Sequence, residues 1–140
     1  MFEKLFAKYD GITEFKLSIN NCTAEDTVYE ATISSHGATL TYLTEREYYD
    51  LKSKSHKADR HIINSVSGKK IKAALEQLIK ECDILKWDGF DGPNPPDVLD
   101  GSSMNFKAKH SDGRTVTAYG SNNFPANYNT FANGLNKILN

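Results

Sequence analysis

The amino-acid sequence predicts an α+β fold in which an antiparallel sheet of about five strands has two main helices packed on one face, plus a short N-terminal helix. Three observations lead to this prediction. Apolar and polar residues alternate in several short segments, as they do in half-buried strands. Elsewhere, apolar residues recur at helical spacing. The strand segments also follow one another before a helix comes, instead of alternating with helices as in a parallel sheet.

Length and composition indicate one folded domain spanning residues 1–140. The chain has 17 Lys and Arg against 18 Asp and Glu, and 11% of its residues are aromatic, which excludes the charged, aromatic-poor profile of disordered proteins. No stretch approaches the roughly 18 consecutive apolar residues of a membrane helix. Glu3, Lys4 and Lys8 interrupt the apolar N-terminus, unlike the centre of a signal peptide. We therefore expect a cytosolic protein with no membrane role.

The first part of the chain predicts the short helix and then a three-stranded meander. Residues 1–10 carry apolar side chains at i, i+3, i+4 and i+7, and Gly11 follows them as a stop signal. From Ile12 onward the period of the apolar residues changes to two. The three strands are predicted around 14–19, 29–33 and 39–42, with polar turns between them.

The segment 44–67 gives the weakest pattern. Thr44 to Glu47 fit a capping box that could begin a helical turn. Residues 53–60 contain no apolar residue except Ala58 and therefore predict an exposed loop. Residues 61–66 could form a short edge strand.

Two helices are predicted with clear amphipathic stripes. The first has apolar residues at helical spacing from Ile71 to Cys82, with charged residues around them. The second begins near Asn123, a plausible cap, and Pro125, which suits a first helical turn; its apolar stripe runs to Ile138.

A long loop and a hairpin lie between these helices. Residues 86–102 hold three of the four prolines and three glycines, which predicts a long ordered or semi-ordered loop. Alternation from Met104 to Lys109, followed by Asp112-Gly113, predicts a hairpin with a two-residue type I′ turn. Such a turn would place Phe106 opposite Tyr119, both on the apolar face.

The acidic side chains of the long loop are the first candidates for chemistry. Asp88, Asp91, Asp97 and Asp100 stand at intervals of three, six and three residues, with prolines between them, which does not fit a calcium-binding EF-hand loop. Asp and Gly are turn formers, and we interpret these carboxylates as acceptors for nearby backbone N–H groups. A metal site or a catalytic carboxylate remains an alternative.

The cysteines and histidines carry little signal. Cys22 and Cys82 lack C-x-x-C spacing and are interpreted as free thiols, Cys82 within a helical stripe and Cys22 in a polar turn. The four histidines show no zinc-ligand spacing. No phosphate-binding glycine loop or nucleophile elbow is present. The sequence therefore predicts no catalytic residue, no cofactor and no metal ligand.

A basic stretch covers residues 52–72, where seven Lys and Arg face one acid, Asp59. Nucleic-acid grooves usually interleave such charges with exposed aromatic residues, and this stretch has none. We interpret it as a solvated segment or as an electrostatic contact to the protein's own acidic loop at 83–101. Nucleic-acid binding through 52–72 remains the weaker alternative function.

The C-terminal half resembles a known group of proteins. Its motifs are W-x-G-F at 87–90, L-D-G at 99–101, D-G at 112–113 and G-S-N-x-x-P-x-N-Y at 120–128. In these motifs the chain looks like a group of small uncharacterised bacterial proteins. That pattern often has a tryptophan after L-D-G, where this chain has Met104, so no role for that aromatic carries over. The resemblance implies the fold and a bacterial origin, and it adds no catalytic residue.

From these observations we expect a non-enzymatic cytosolic binding module whose partner is another protein, in a regulatory or immunity-type role. The alternative is a small enzyme or small-molecule binder using the 86–102 loop. Aromatic residues around that loop either pin it to the core or line a pocket beside the last helix. The candidate contact residues are Trp87, Phe90, Asp100, Tyr119, Asn122 and Asn123. A pocket with converging polar groups would favour the alternative, whereas carboxylates bonded to turn N–H groups would favour the binding module.

Overall fold

A computed structural model of the chain describes residues 9–97 and 101–140. It contains one mixed sheet of seven strands, in the order β4-β3-β2-β1-β6-β7-β5. The strands are β1 (Ile12–Asn20), β2 (Asp26–Ile33), β3 (Ala38–Asp50), β4 (Ser55–Gly68), β5 (Asp91–Gly92), β6 (Ser103–His110) and β7 (Thr115–Ser121), and the helices are α1 (Lys69–Glu81) and α2 (Tyr128–Leu139).

The prediction of an antiparallel sheet of about five strands was wrong in number and in type. The sheet has seven strands, and β5 pairs with β7 in parallel. This two-residue strand lies inside the predicted 86–102 loop, where a stretch so short leaves no alternation to detect. The predicted N-terminal helix lies outside the described residues except at its end, where Tyr9 and Asp10 are not helical.

The largest difference from the sequence prediction is a long hairpin made by β3 and β4, residues 38–68. Apart from the turn at 51–54, the helical turn and the exposed loop predicted between 44 and 60 are strand. β3 pairs with β4 from Ala38 opposite Gly68 to Asp50 opposite Ser55, with one bulge. Side chains near the tip are exposed on both faces, so the period of two that marks a half-buried strand is missing. Backbone pairing and exposed cross-strand contacts, such as Lys57 with Asp50 and Tyr49 with His56, form this part of the sheet.

The core lies on one face of the sheet, under both helices. Alternate residues of the central strands point to this face, and α1 and α2 cover it with Leu75, Phe131 and Leu135, which have no exposed surface. Phe131 contacts the Phe15 ring from β1 with centroids 5.5 Å apart. The two main helices therefore lie on a single face, as predicted, but α2 begins at Tyr128 and not near Asn123 and Pro125, where the sequence places its start.

The β6–β7 hairpin has a register one residue away from the predicted one. His110 N–H donates to the Arg114 carbonyl, which leaves a three-residue loop in place of a two-residue turn, and Gly113 takes the left-handed conformation with φ +94°. Phe106 consequently lies opposite Ala118. Because a shift of one residue exchanges the two faces of a strand, Tyr119 points away from the core instead of facing Phe106.

Neither helix is long and apolar enough to cross a membrane, in the part of the chain that the structure describes.

Candidate functional site

Trp87 is buried in the core and does not line a pocket. Only 2% of its surface is exposed, and its ring lies 5.1 Å from the Phe106 centroid and 5.4 Å from that of Phe131. Its indole Nε1 donates to the Ala126 carbonyl at 2.9 Å, just before α2. Trp87 therefore joins the long loop, the sheet and the start of α2, which is the pinning role weighed from the sequence.

Phe90 and Tyr119 meet through the backbone at the β5 edge. Tyr119 N–H donates to the Phe90 carbonyl at 3.0 Å, and Gly89 N–H donates to the Thr117 carbonyl at 2.9 Å. Phe90 packs, half-buried, against the core, whereas Tyr119 is exposed on the opposite face of the sheet. The two side chains are therefore not brought together in one site.

Asn122 and Asn123 shape the connection from β7 to α2. Asn122 has φ 52°, and its side-chain oxygen accepts the Ser102 N–H at 2.9 Å. The Asn123 carbonyl oxygen lies against Gly120, so closely that a Cβ there would clash with it. Both asparagines line a shallow hollow of about 540 Å³ at the start of α2, but in the described chain no residue of 86–97 lines it. Asp100 lies outside the described residues.

One carboxylate of the acidic loop, that of Asp88, is engaged with backbone. The Asp88 carboxylate accepts the Thr117 N–H at 3.0 Å, which joins the loop to β7. Within residues 9–97 and 101–140, no three His, Cys, Asp or Glu side chains converge on a position that could hold a metal ion. Asp88 thus accepts a backbone N–H, as predicted for these carboxylates, but the donor lies on β7 and not in a nearby turn.

Both cysteines are free thiols in the structure. Burial raises the pKa of Cys82, and the charges of Glu81 and Asp83 add to that rise. Cys22 is exposed, and its Sγ donates to the Gly101 carbonyl at 2.7 Å. The environment of Cys82 therefore disfavours the thiolate, which is the reactive form of cysteine.

Tyr128, at the start of α2, allows a test of how well this end of the core is shielded from water. Burial, together with the charge of Tyr29, raises the pKa of Tyr128 from 10.0 to about 12. A raised pKa in the folded state stabilises the fold fully below the unfolded pKa, and this contribution is lost as pH rises through the folded pKa. We therefore expect the wild-type free energy of unfolding to fall between pH 10 and about 12, and to fall less in Tyr128→Phe.

Urea unfolding followed by circular dichroism over this pH range measures the effect. Each protein is referred to its own stability at neutral pH, which corrects for the loss of the hydroxyl group. Equal slopes for wild type and variant would show that Tyr128 ionises as easily in the folded state as in the unfolded chain.

The helix-free face of the sheet carries an ion-pair network. The Arg60 guanidinium from β4 contacts Glu30 on β2 and lies 3.6 Å from Glu45, while Lys16 Nζ lies 3.3 Å from Glu45. The hydrogen bond to Glu30 raises the pKa of Arg60. A cleft of about 570 Å³ runs beside this network. Lys16 and Arg60, which both line this cleft, are thus already paired with carboxylates of the same chain.

This network also explains two buried residues that no helix covers. Val28 and Leu43 are paired on the helix-free face and have no exposed surface. Register places Glu30 on one side of this pair and Glu45 on the other. Arg60 lies opposite Glu45 on the neighbouring strand, and its side chain reaches to Glu30. It therefore passes over Val28 and Leu43. The stems of long charged side chains therefore shield this part of the sheet.

The exposed apolar side chains are concentrated in the β3–β4 hairpin. Seven large hydrophobic residues are exposed in the described chain, and five of them belong to this hairpin. These five are Tyr48, Tyr49, Leu51, Ile62 and Ile63. They were not selected from the sequence, which predicts a helical turn beginning at Thr44, an exposed loop at 53–60 and a short edge strand at 61–66. The Tyr48-Tyr49 and Ile62-Ile63 doublets, one on each strand, are the signal that could have found them.

The basic stretch 52–72 forms β4 and its two ends. Lys57 Nζ lies 2.8 Å from Asp50, and Lys72 lies 3.6 Å from Glu76. In the described chain, none of the cations in this stretch forms an ion pair with the 83–101 loop, so of the two interpretations offered from the sequence this structure favours the solvated segment. Four cations of the stretch have no ion pair with any described residue, namely Lys52, Lys54, Lys69 and Lys70.

No protein-family model matches this chain, and a search of curated proteins finds no similar sequence.

Proposed function

We propose that this protein is a non-enzymatic binding module that contacts another protein through the β3–β4 hairpin. The observation that carries this proposal is the concentration of exposed large apolar side chains in that hairpin. Exposed apolar groups that gather in one region mark interaction surfaces, and aromatic residues dominate the energetics of many interfaces. A module of this kind suits a regulatory or immunity-type role in a bacterial cytosol.

The alternative, a small enzyme or small-molecule binder using the 86–102 loop, has less support. The Trp87 indole is packed in the core and donates to Ala126, and the Asp88 carboxylate accepts a backbone N–H. These are the groups that a ligand site in the loop would need to present. Because they are already used to hold the loop on the sheet, the geometry favours a structural role for them.

The test is capture from a bacterial lysate by immobilised full-length protein, at moderate salt and after nuclease treatment. We compare wild type with Tyr48→Ser/Leu51→Ser, which removes two apolar side chains from the hairpin. Replacing an interface residue that dominates binding weakens the complex by about 2 kcal/mol or more. We therefore expect the variant to capture at least about tenfold less of a stoichiometric partner than wild type does. Circular dichroism melting confirms that both proteins are folded.

The matched control is Leu85→Ser/Tyr119→Ser, which removes the two large hydrophobic residues that are exposed outside the hairpin in the described chain. It should capture the partner as wild type does. Equal capture by the hairpin variant would contradict the proposal. Loss in the control alone would instead favour the surface around the 86–102 loop, next to Tyr119.

A further inference from the structure

We propose that the free edge of β4 receives an extended acidic segment of the partner protein as an additional strand of the sheet. This inference rests on the proposed function and names the chemistry of the partner. Strand addition uses the backbone groups of an exposed edge for affinity, and neighbouring side chains for specificity. Three features of β4 support it: its position at the edge of the sheet, the absence of charged residues and proline from its second half, and the charges at its ends.

The position of β4 leaves one side of its backbone open. It is the outermost strand, and in the described chain it pairs only with β3. With 14 residues it is about 45 Å long, whereas β5 at the opposite edge has two residues. The sheet therefore offers one long edge to a partner, and that edge belongs to the hairpin that holds the exposed apolar residues.

The second half of β4 lacks most of the devices that protect strand edges. Natural edges are usually short, or carry charges or proline. From Ile62 to Gly68 there is no charge and no proline, and Ile62 and Ile63 are 63% and 52% exposed. One bulge, at Ile63, interrupts the pairing with β3. Beyond it, Asn64–Ser67 pairs regularly and can continue the sheet outward.

The charges at the ends of β4 define the partner. Lys52 and Lys54 lie at the hairpin tip, where β4 begins, and Lys69 and Lys70 follow its last residue. None of these four forms an ion pair within the described residues, so their charge is available to an incoming segment. A partner strand with acidic residues at both ends and uncharged residues between them matches this pattern.

The same charges disfavour a second copy of this chain. Pairing of two β4 edges would bring the lysines of one copy beside those of the other, in either direction. Like charges held opposite each other in a sheet are destabilising. We therefore assign the edge to an acidic protein segment.

The probe is a fluorescein-labelled synthetic peptide of alternating valine and threonine, with a pair of glutamates at each end. Fluorescence anisotropy with the full chain should show saturable binding. A peptide with lysine ends should bind about tenfold more weakly or worse, because attraction becomes repulsion at both ends. Two further forms of the acidic peptide carry N-methyl groups on the odd or on the even residues, so each keeps its charges but loses the backbone donors of one edge. Binding should be lost in the form whose methylated edge faces β4.

Variants of the chain identify the edge. Lys69→Glu/Lys70→Glu should weaken binding of the acidic peptide about tenfold, and the new carboxylates suit the first turn of α1, so the fold is kept. Lys86→Glu/Lys107→Glu makes the same change in net charge away from β4 and should bind the peptide as wild type does. In the wild-type complex, amide hydrogen exchange should slow in Ser55–Gly68 and stay unchanged in Asp91–Gly92.

Several results would overturn the inference. They are absence of saturable binding, equal binding of the acidic and basic peptides, and full binding of both N-methylated forms. A dimer of the free chain that Ile63→Lys separates would assign the edge to a second copy. Displacement of the peptide by an oligonucleotide in a salt-dependent manner would assign the lysines to nucleic acid. If the peptide fails while Tyr48→Ser/Leu51→Ser still loses its captured partner, strand addition is wrong and the proposed function stands.

Discussion

Replacing Trp87 with alanine is expected to lower the free energy of unfolding by about 3–5 kcal/mol. The side chain is 98% buried, touches the rings of Phe106 and Phe131, and bonds the Ala126 carbonyl. Its removal leaves a cavity between the segment that carries it, β6 and α2. Because domains are stable by only about 5–15 kcal/mol, this variant loses a large part of the total stability.

Urea unfolding followed by circular dichroism measures this loss, since the variant contains no tryptophan for fluorescence. Trp87→Phe is the informative comparison. It keeps an aromatic ring in the core but removes the N–H donor, so we expect a smaller loss of about 1–2 kcal/mol. If Trp87→Ala were as stable as wild type, other contacts would have to hold the segment 84–97 on the sheet.

Gly120→Ala is expected to cost about 2–3 kcal/mol, the second-largest effect. Gly120 lies on β7, where a Cβ would clash with the Asn123 carbonyl oxygen. A Cβ at Gly92 on the neighbouring β5 would lie 2.6 Å from the same oxygen. Because the obstacle is backbone and not a flexible side chain, the turn into α2 must move to admit even one methyl group.

The measurement is again the urea midpoint, with Thr117→Ala on the exposed face of the same strand as control. Surface substitutions usually change stability by less than about 0.5 kcal/mol, which is what we expect of the control. A wild-type midpoint for Gly120→Ala would mean that the β7–α2 turn is free to adjust, and that the close approach of Asn123 is not needed to seat α2.

The sequence predicted those parts of the fold in which one face of an element is buried. The stripe from Ile71 to Cys82 lies on α1 and its C-terminal cap because burial of one helix face imposes a period of 3.6. The same reasoning fails for the β3–β4 hairpin, whose outer half is exposed on both faces. There, pairing between the two strands determines the structure. This pairing does not require apolar and polar residues to alternate along the sequence.

The candidate site was predicted only in part, for a related reason. The aromatic residues around 86–102 were recognised as a group, yet Trp87 faces the core and Tyr119 faces solvent. The separation follows from one residue of register in the β6–β7 hairpin, which depends on whether the loop after His110 has two residues or three. Asp112-Gly113 is compatible with either loop, so the sequence alone could not choose.

The central position of β1 has a consequence for how the chain folds as it is synthesised. β1 pairs with β2 directly after it in sequence, and on its other side with β6, so that Leu17 lies between Tyr29 and Phe106. While β2, β3, β4 and α1 leave the ribosome, that second edge of β1 has no partner, and the apolar face lacks Phe131. Contacts between residues so distant in sequence slow folding and leave intermediates prone to association. The nascent first half therefore has an unpaired strand edge and an uncovered apolar face, which chaperones bind, until β6 and α2 are synthesised.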